Sequence, residues 1–309
     1  LPLTIGAVDY WNFLAEPVAA RRTLIHTPIR IHEATLALQQ TGNDPMVGDG
    51  TRKTTPRQAF TTASADEVAR FTAMAESWWE REGNYAFLHK INPLRIAYIR
   101  DHAAGHFGRD PLADKPLKNL TLLDIGCGGG LLSEPMRRLA ARVTGIDASE
   151  TNIAVAGRHA RQCGLDIDYR CVLPESLADK GRSFDIVLHM EVIEHVANPQ
   201  AFLRICSHLV RPGGTMIMST INRTPKAFAL AKVGAEYVLR MVPAGTHDWR
   251  KFIKPSELAA GLRPHGVEII DLAGLTYNPL GGEWALSRDL GVNYLAFAVK
   301  GRVSRNPHT

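Results

Sequence analysis

The sequence predicts an α/β fold, doubly wound around a mostly parallel seven-stranded sheet, and three observations point to it. Short β-type runs alternate with helical segments over residues 120–300, the rhythm of strands joined by helices on both faces of a sheet. A glycine-rich turn, Gly126 to Gly130, directly follows the first run, where such a sheet receives its ligand. Of 309 residues, 45% are hydrophobic and 22% charged, which supports a sizeable core and excludes disorder, collagen, coiled coil and a disulfide scaffold.

Residues 1–62 read as an extension outside the functional unit. Their periodicity is weak and they end in the breaker-rich stretch Thr41–Pro56, with Met46 as an alternative start. A targeting peptide is the other reading, against which Asp9, Glu16 and Glu33 stand. Residues 63–116 form a helical lid segment. Ser64 can cap a helix with Glu67 three positions on, and Val68, Phe71, Met74, Ala75 and Trp78 follow at helical spacing. Gly83 breaks that helix, and Pro93–Ile99 opens a second one bearing Arg95.

Residues 117–301 form the main domain, with residues 302–309 as a tail. Strands are expected at Leu120–Ile125, Val143–Asp147, Ile167–Val172, Asp185–Met190, Gly214–Thr220, Val267–Leu272 and Tyr294–Lys300. Helices are expected at Leu131–Ala140, Glu150–Cys163, Pro199–Leu209 and Pro255–Leu262. The connection over residues 222–254 is longer than an ordinary loop and reads as an insertion with its own task.

Charge and cysteine usage narrow the function classes. Thirty-six basic against 31 acidic residues give a net charge of +5, a mild excess without the long runs or interleaved aromatics of a nucleic-acid tract. The four cysteines, Cys127, Cys163, Cys171 and Cys206, show no C-x-x-C spacing. A reducing cytoplasm without structural zinc is the expectation. No apolar run reaches the ~18 residues needed to span a bilayer, so a soluble or peripheral protein is expected.

The glycine turn discriminates between cofactors. A dinucleotide fingerprint needs glycine at its first, third and sixth positions, but the sixth position is Leu131 counted from Gly126 and Ser133 counted from Gly128. Asp124, just ahead of the glycines, would repel a pyrophosphate and attract an ammonium group. That favours S-adenosylmethionine over NAD. Asp147, ending the second strand, either accepts both ribose hydroxyls of such a cofactor or serves as a turn aspartate at the helix starting near Ser149. Met190, ending the fourth strand, either walls an adenine or packs in the core.

Asp-Ile-Gly-Cys-Gly-Gly-Gly over residues 124–130, followed by Gly-Ile-Asp at 145–147, resembles the cofactor loop of class I S-adenosylmethionine-dependent methyltransferases, whose fold is Rossmann-like. Three further segments resemble the ubiquinone biosynthesis O-methyltransferases: Trp78-Trp79 with residues 88–95, Met190 to Val196, and Val233 to Pro243 running into Gly245-Thr246-His247-Asp248. The match spans about residues 64–300. It implies methyl transfer to phenolic hydroxyls at two steps, on a 2-polyprenyl-6-hydroxyphenol and on 3-demethylubiquinol. It also implies association with other enzymes of that pathway. Arg95, Gly126, Asp147 and Met190 match positions that line the family's cofactor site, joined by Asp124 and Gly128 of the loop. Arg95 has its own rationale as a bidentate partner for the cofactor carboxylate, or else is an ordinary helix arginine.

Deprotonating a catechol requires a base or a divalent cation. Glu191, Glu194 and His195 have spacings of three and four, so a helix would converge all three on one face. They can ligate one metal, act with His195 as base, or merely cap the next helix. The resemblance points to Mg²⁺. His247 and Asp248 either close the site or form a polar turn, and Trp78 and Trp79 belong to a lid or to the core. Within residues 226–242, Leu230, Val233, Tyr237, Val238 and Met241 lie at helical spacing beside Lys226, Lys232 and Arg240. This is either an interfacial helix on the inner face of the cell membrane or an amphipathic lid. The rival functions are an NAD-dependent oxidoreductase and a noncatalytic membrane scaffold that retains the cofactor.

Overall fold

The computed structural model describes residues 61–230, 248–278 and 281–302. The extension through residue 60, the centre of the insertion and the end of the tail therefore lie outside the described residues. The strands are β1 (Thr121–Ile125), β2 (Arg142–Asp147), β3 (Asp168–Cys171), β4 (Phe184–Met190), β5 (Val210–Ile221), β6 (Val267–Asn278), β7 (Glu283–Ser287) and β8 (Asn293–Lys300). They form one eight-stranded sheet in the order β3-β2-β1-β4-β5-β8-β6-β7. The first five are parallel and the last three join antiparallel. This is the doubly wound sheet the alternation predicts, with β1 and β4 side by side where the strand order reverses.

The sheet holds because both of its faces are covered, as its near-continuous apolar strands require. Leu122, Ile186, Leu188, Ile217, Leu295 and Phe297 point to one side. There they pack with Ile91, Ile96 and Ile99 of α2 (Ala86–His106) and Met136 of α3 (Ser133–Arg138). Leu123, Ile146, Val187, Met216, Met218 and Tyr294 point to the other. Their partners include Phe202 and Leu203 of α6 (Pro199–Leu209) and Leu258 of α8 (Pro255–Leu262). Between these come α4 (Glu150–Gln162), α5 (Pro174–Ala178) and α7 (Pro225–Ala227).

Several local expectations change. The eighth strand, β7, hairpins onto the far half of β6, which continues past Leu272 to Asn278. The Tyr277–Trp284 cross-strand pair, rings 5.2 Å apart, covers it. The first helix, α1 (Ala65–Ala73), ends before Met74, and a 3-10 turn, Ala75–Trp79, carries the tryptophans. Ser64 is the N-cap residue but makes no side-chain cap bond, and the Glu67 carboxylate, which a capping box would turn back onto the Ser64 N–H, is engaged by Arg70, Lys251 and His195 instead. Pro93 stands inside α2 and does not open it; its missing N–H costs one helical bond, which burial of Ile91, Ile96, Tyr98 and Ile99 offsets. Thr62, assigned to the extension, is buried, donates to Glu175 at 2.6 Å and accepts from the Ala197 N–H.

Helix α2 is anchored to the distal sheet. Asp271 accepts from the Tyr98 hydroxyl at 2.9 Å and lies 3.1 Å from His102 Nε2, which holds the Asp271 carboxyl below its usual pKa. Ile186, fully buried at the middle of the sheet, should cost about 2–5 kcal/mol when replaced by alanine. The measurement is the shift of the urea unfolding midpoint; a shift worth under about 1 kcal/mol would mean that the α2-covered face is not the core.

Candidate functional site

The carboxyl ends of β1, β2, β4 and β5 meet in one crevice at the strand-order reversal, where α/β sheets bind ligands. The glycine turn forms its floor. Gly126 and Cys127 donate their N–H groups to Ile146 O at 2.8 and 3.0 Å, lashing the turn to β2. Gly128 has φ +52°, a left-handed conformation that disfavours side chains, and a Cβ there would lie 2.3 Å from the Trp78 ring. Backbone and indole are therefore in direct contact.

Asp147 joins three parts of this crevice. Its Oδ2 accepts from Gly128 N at 3.0 Å, and its Oδ1 accepts from Ser149 N at 2.9 Å and Asn152 Nδ2 at 3.1 Å. Burial raises its pKa while these donors oppose the shift. Three of the roughly four lone-pair sites of a carboxylate are thus occupied. These bonds have the geometry of a turn aspartate and leave one lone-pair site of the carboxylate for a further donor.

Arg95 and Asp124 are both buried, 3% exposed each, and the guanidinium charge helps hold the Asp124 proton off. Asp124 accepts from Ser133 Oγ at 2.6 Å. Burial dominates and raises its pKa from 3.8 to about 6. The two side chains present one positive and one negative group, the complement of a zwitterionic amino-acid moiety. Met190 is 7% exposed and packs in the face covered by α2.

The lid segment contributes residues the motif reading did not single out. Tyr85 stacks on Trp78 at 3.7 Å, and its hydroxyl is buried without a protein hydrogen-bond partner. Burial and then the Asp147 charge raise its pKa. Trp78 Nε1 donates to Asn152 Oδ1 at 2.9 Å and Trp79 Nε1 to Gly129 O at 3.0 Å. Both indoles lie on the glycine turn and the helix behind it. The signal for Tyr85 was its place between Gly83 and the second helix, which periodicity does not register.

Beyond β4, Glu191 adopts φ +57° and turns the chain into a 3-10 turn, Ile193–His195. The left-handed Glu191 lies before that turn, so the α-helical spacing of three and four residues does not apply across it. Glu191 Oε1 accepts from Ser219 Oγ at 2.6 Å and Glu194 Oε2 from Thr220 Oγ1 at 2.9 Å. The buried Glu194 Oε1 has no donor. Burial and the neighbouring Glu191 push the Glu194 pKa well up. His195 faces elsewhere, with Nδ1 3.3 Å from Glu67 Oε2. Glu67 also accepts from Lys251 Nζ at 3.1 Å, and despite burial these partners bring its pKa down to about 2. The convergence of Glu191, Glu194 and His195 expected from helical spacing is not what the structure builds: the carboxylates pair, and the imidazole forms a dyad with α1. His247 lies outside the described residues, while Asp248 caps the 3-10 turn Trp249–Lys251 by accepting from Arg250 N.

Residues 123–218 match the family model of a methyltransferase domain. The chain is 52% identical over 246 residues to the ubiquinone biosynthesis O-methyltransferase of Parvibaculum lavamentivorans, covering 80% of this chain and 97% of that protein. It is 54% identical to the protein of that name from Chelativorans sp., covering 79% of this chain and 97% of the relative. The protein of that name from Mesorhizobium japonicum is 53% identical, with 80% of this chain and 100% of the relative covered. Among solved structures, magnesium protoporphyrin IX methyltransferase from Synechocystis PCC 6803 with bound SAH superposes with TM-score 0.53 at 21% identity. That likeness covers 75% of this chain and 97% of the other and concerns the fold alone.

If Asp124 receives the cofactor ammonium, it must be ionised to do so. With a pKa raised to about 6, it is ionised at neutral pH and takes up a proton as the pH falls through that value. Affinity for S-adenosylhomocysteine should therefore fall below pH 6 by up to about tenfold per pH unit. Asp124→Asn should bind more weakly at pH 7.5 and lose this dependence. Calorimetry across pH 5–7.5 checks it, and an unchanged slope in the variant would remove Asp124 from the site.

Proposed function

The chain belongs to the family of ubiquinone biosynthesis O-methyltransferases, and on that premise we propose that it methylates polyprenylated phenols at two steps, on a 2-polyprenyl-6-hydroxyphenol and on 3-demethylubiquinol. As a family member it is an S-adenosylmethionine-dependent O-methyltransferase of the ubiquinone pathway. The observation that carries the catalytic reading is the pairing of Glu191 with Glu194 at the end of β4, beside the cofactor crevice.

Methyl transfer from sulfur to oxygen is an in-line displacement, so the protein must hold donor and acceptor in line and exclude water. Arg95 pairs with the cofactor carboxylate, Asp124 with its ammonium, and Asp147 contributes its remaining lone pair to the ribose. Gly126 and Gly128, whose missing side chains let Val192 and the Trp78 indole lie against the turn, line the cofactor site with their backbone, and Met190 borders the adenine. Trp78 and Tyr85 close the crevice, with the unpartnered Tyr85 hydroxyl available to the cofactor.

Two adjacent carboxylates, one with a donor-free buried oxygen, fit a hard divalent cation such as Mg²⁺, which accepts one or two carboxylates and retains waters. Glu191 and Glu194 would hold it, without His195. Such an ion lowers the pKa of a bound hydroxyl. His195, its Nδ1 held by Glu67, keeps Nε2 as the nitrogen that accepts the phenolic proton. Glu67 fixes the tautomer and orientation that this role needs.

The membrane reading rests on the edges of the insertion. Phe228 and Leu230 are 43% and 52% exposed on one side, and Trp249 is 36% exposed on the other, its ring 6.4 Å from Phe228. The segment between, 231–247, lies outside the described residues. A substrate with a polyprenyl tail resides in the bilayer, so residues 226–242 would place the protein on the inner face of the cell membrane. No described helix is long and apolar enough to cross it.

Incubation with cofactor, Mg²⁺ and a short-tailed demethylubiquinol should add a single methyl group, identified by mass. Chelator treatment and Glu194→Gln should each lower kcat by about 10-fold or more while cofactor affinity stays within about twofold. Full activity in chelator would discard the ion. Reversing Lys232 and Arg240 to glutamate should reduce sedimentation with anionic vesicles, each lysine or arginine contributing about 1 kcal/mol near the surface. Equal sedimentation would leave the insertion as a lid.

A further inference from the structure

A second set of ligating side chains is built by α3 and α4 and plays no part in the chemistry above. Glu134 of α3, His159 of α4 and Cys163, the C-cap residue of α4, bring a carboxylate oxygen, a ring nitrogen and a thiol within 4.8 Å of one another. Among the described residues no other group of three or more His, Cys, Asp or Glu side chains comes this close together. His159 and Cys163 are one helical turn apart and share a face. Glu134 is buried, 2% exposed, and reaches them from the adjacent helix. The same nitrogen, His159 Nδ1, lies 2.6 Å from Glu134 Oε1 and 3.8 Å from Cys163 Sγ.

These separations approach those of a tetrahedral ion. With sulfur at ~2.3 Å and nitrogen or oxygen at ~2.0–2.1 Å from zinc, the N–S edge is about 3.6 Å and the N–O edge about 3.3 Å. The sulfur and nitrogen already stand near the required spacing. The carboxylate must open by about 0.7 Å, which its terminal torsion supplies. Arg138 Nη2 lies 3.5 Å from Glu134 Oε2, the other oxygen, and also stands beside Cys163. A dication with one carboxylate and one thiolate is neutral as a unit, so this guanidinium meets no net like charge.

We propose that Glu134, His159 and Cys163 bind one borderline-soft divalent cation of the Zn²⁺ class, with a fourth position open to water. Binding converts the Cys163 thiol to a thiolate and releases its proton to solvent. The thiolate and imidazole separate this site in preference from the all-oxygen pair of Glu191 and Glu194, which suits harder ions. The cation would also fix the imidazole that stacks on Trp79 at 3.5 Å, whose indole N–H holds Gly129 O in the cofactor turn.

The test is a Co²⁺ titration of the reduced full-length protein with Mg²⁺ present, read by the thiolate-to-cobalt charge-transfer absorption. One equivalent of Co²⁺ should develop the band and Zn²⁺ should bleach it. Cys163→Ser, a change at an exposed position, should abolish the band and weaken Zn²⁺ binding in chelator competition by about 10-fold or more. His159→Gln should weaken Zn²⁺ likewise, whereas Cys171→Ser and Glu194→Gln should keep both readouts. Absence of the band in the unmodified protein, its survival in Cys163→Ser, or its loss in Cys171→Ser would overturn the proposal.

Discussion

The carboxylate of Asp147 is the constraint on which the crevice depends. It accepts from Gly128 in the glycine turn and from Ser149 and Asn152 at the start of α4, and Asn152 in turn accepts from Trp78 of the lid. One half-buried acid thereby links the end of β2, the turn after β1, the helix behind them and the segment packed on them. The arrangement is sensitive because a largely desolvated carboxylate deprived of its donors is left with unsatisfied lone pairs. The same bonds limit how freely Asp147 can accept anything else. Its position at the mouth of the site and its role as a turn residue are two aspects of one geometry.

A second link runs from the lid to the chemistry. Glu67 of α1 stands between Lys251, at the root of the insertion, and His195, after β4. The packing of α1 and the orientation of the imidazole therefore depend on the same carboxylate. Trp78 and Trp79 make the corresponding contacts on the cofactor side, to Asn152 and to Gly129. The 63–116 segment covers the crevice and also supplies side chains that fix the groups lining it. A chain of this family with the main domain alone would lack the partner that sets the His195 ring.

Much of this was legible from residue order. The alternation of apolar runs placed all five parallel strands: the central ones, buried on both faces, are apolar along their length, while the edge strand β3, Asp168–Cys171, is polar and part-exposed and shows only by its place in the rhythm. The failed dinucleotide spacing at Leu131 and Ser133, with Asp124 ahead of it, separated the cofactor classes. Long motifs around Trp78, Met190 and Val233 identified the family, and 52–54% identity to its members agrees. Less was legible where a local pattern admits more than one outcome. Strand β7 was missed because a short hairpin on a sheet edge carries little periodicity, and Pro93 was misplaced because tertiary burial outweighs one lost helical bond.

The sequence by itself determined the sheet, the glycine turn at its reversal point and the set of acids around it, since these follow from periodicity and from residue types at fixed spacing. Only the tertiary structure decided how those acids are used. Spacings of three and four bring Glu191, Glu194 and His195 together on an α-helix, yet the chain forms a 3-10 turn there and Glu191 takes φ +57°. That departure from α-helical spacing pairs the carboxylates and delivers the imidazole to Glu67, which lies more than a hundred residues earlier. No local rule connects the two, because their contact exists only once α1 has packed across the end of the sheet.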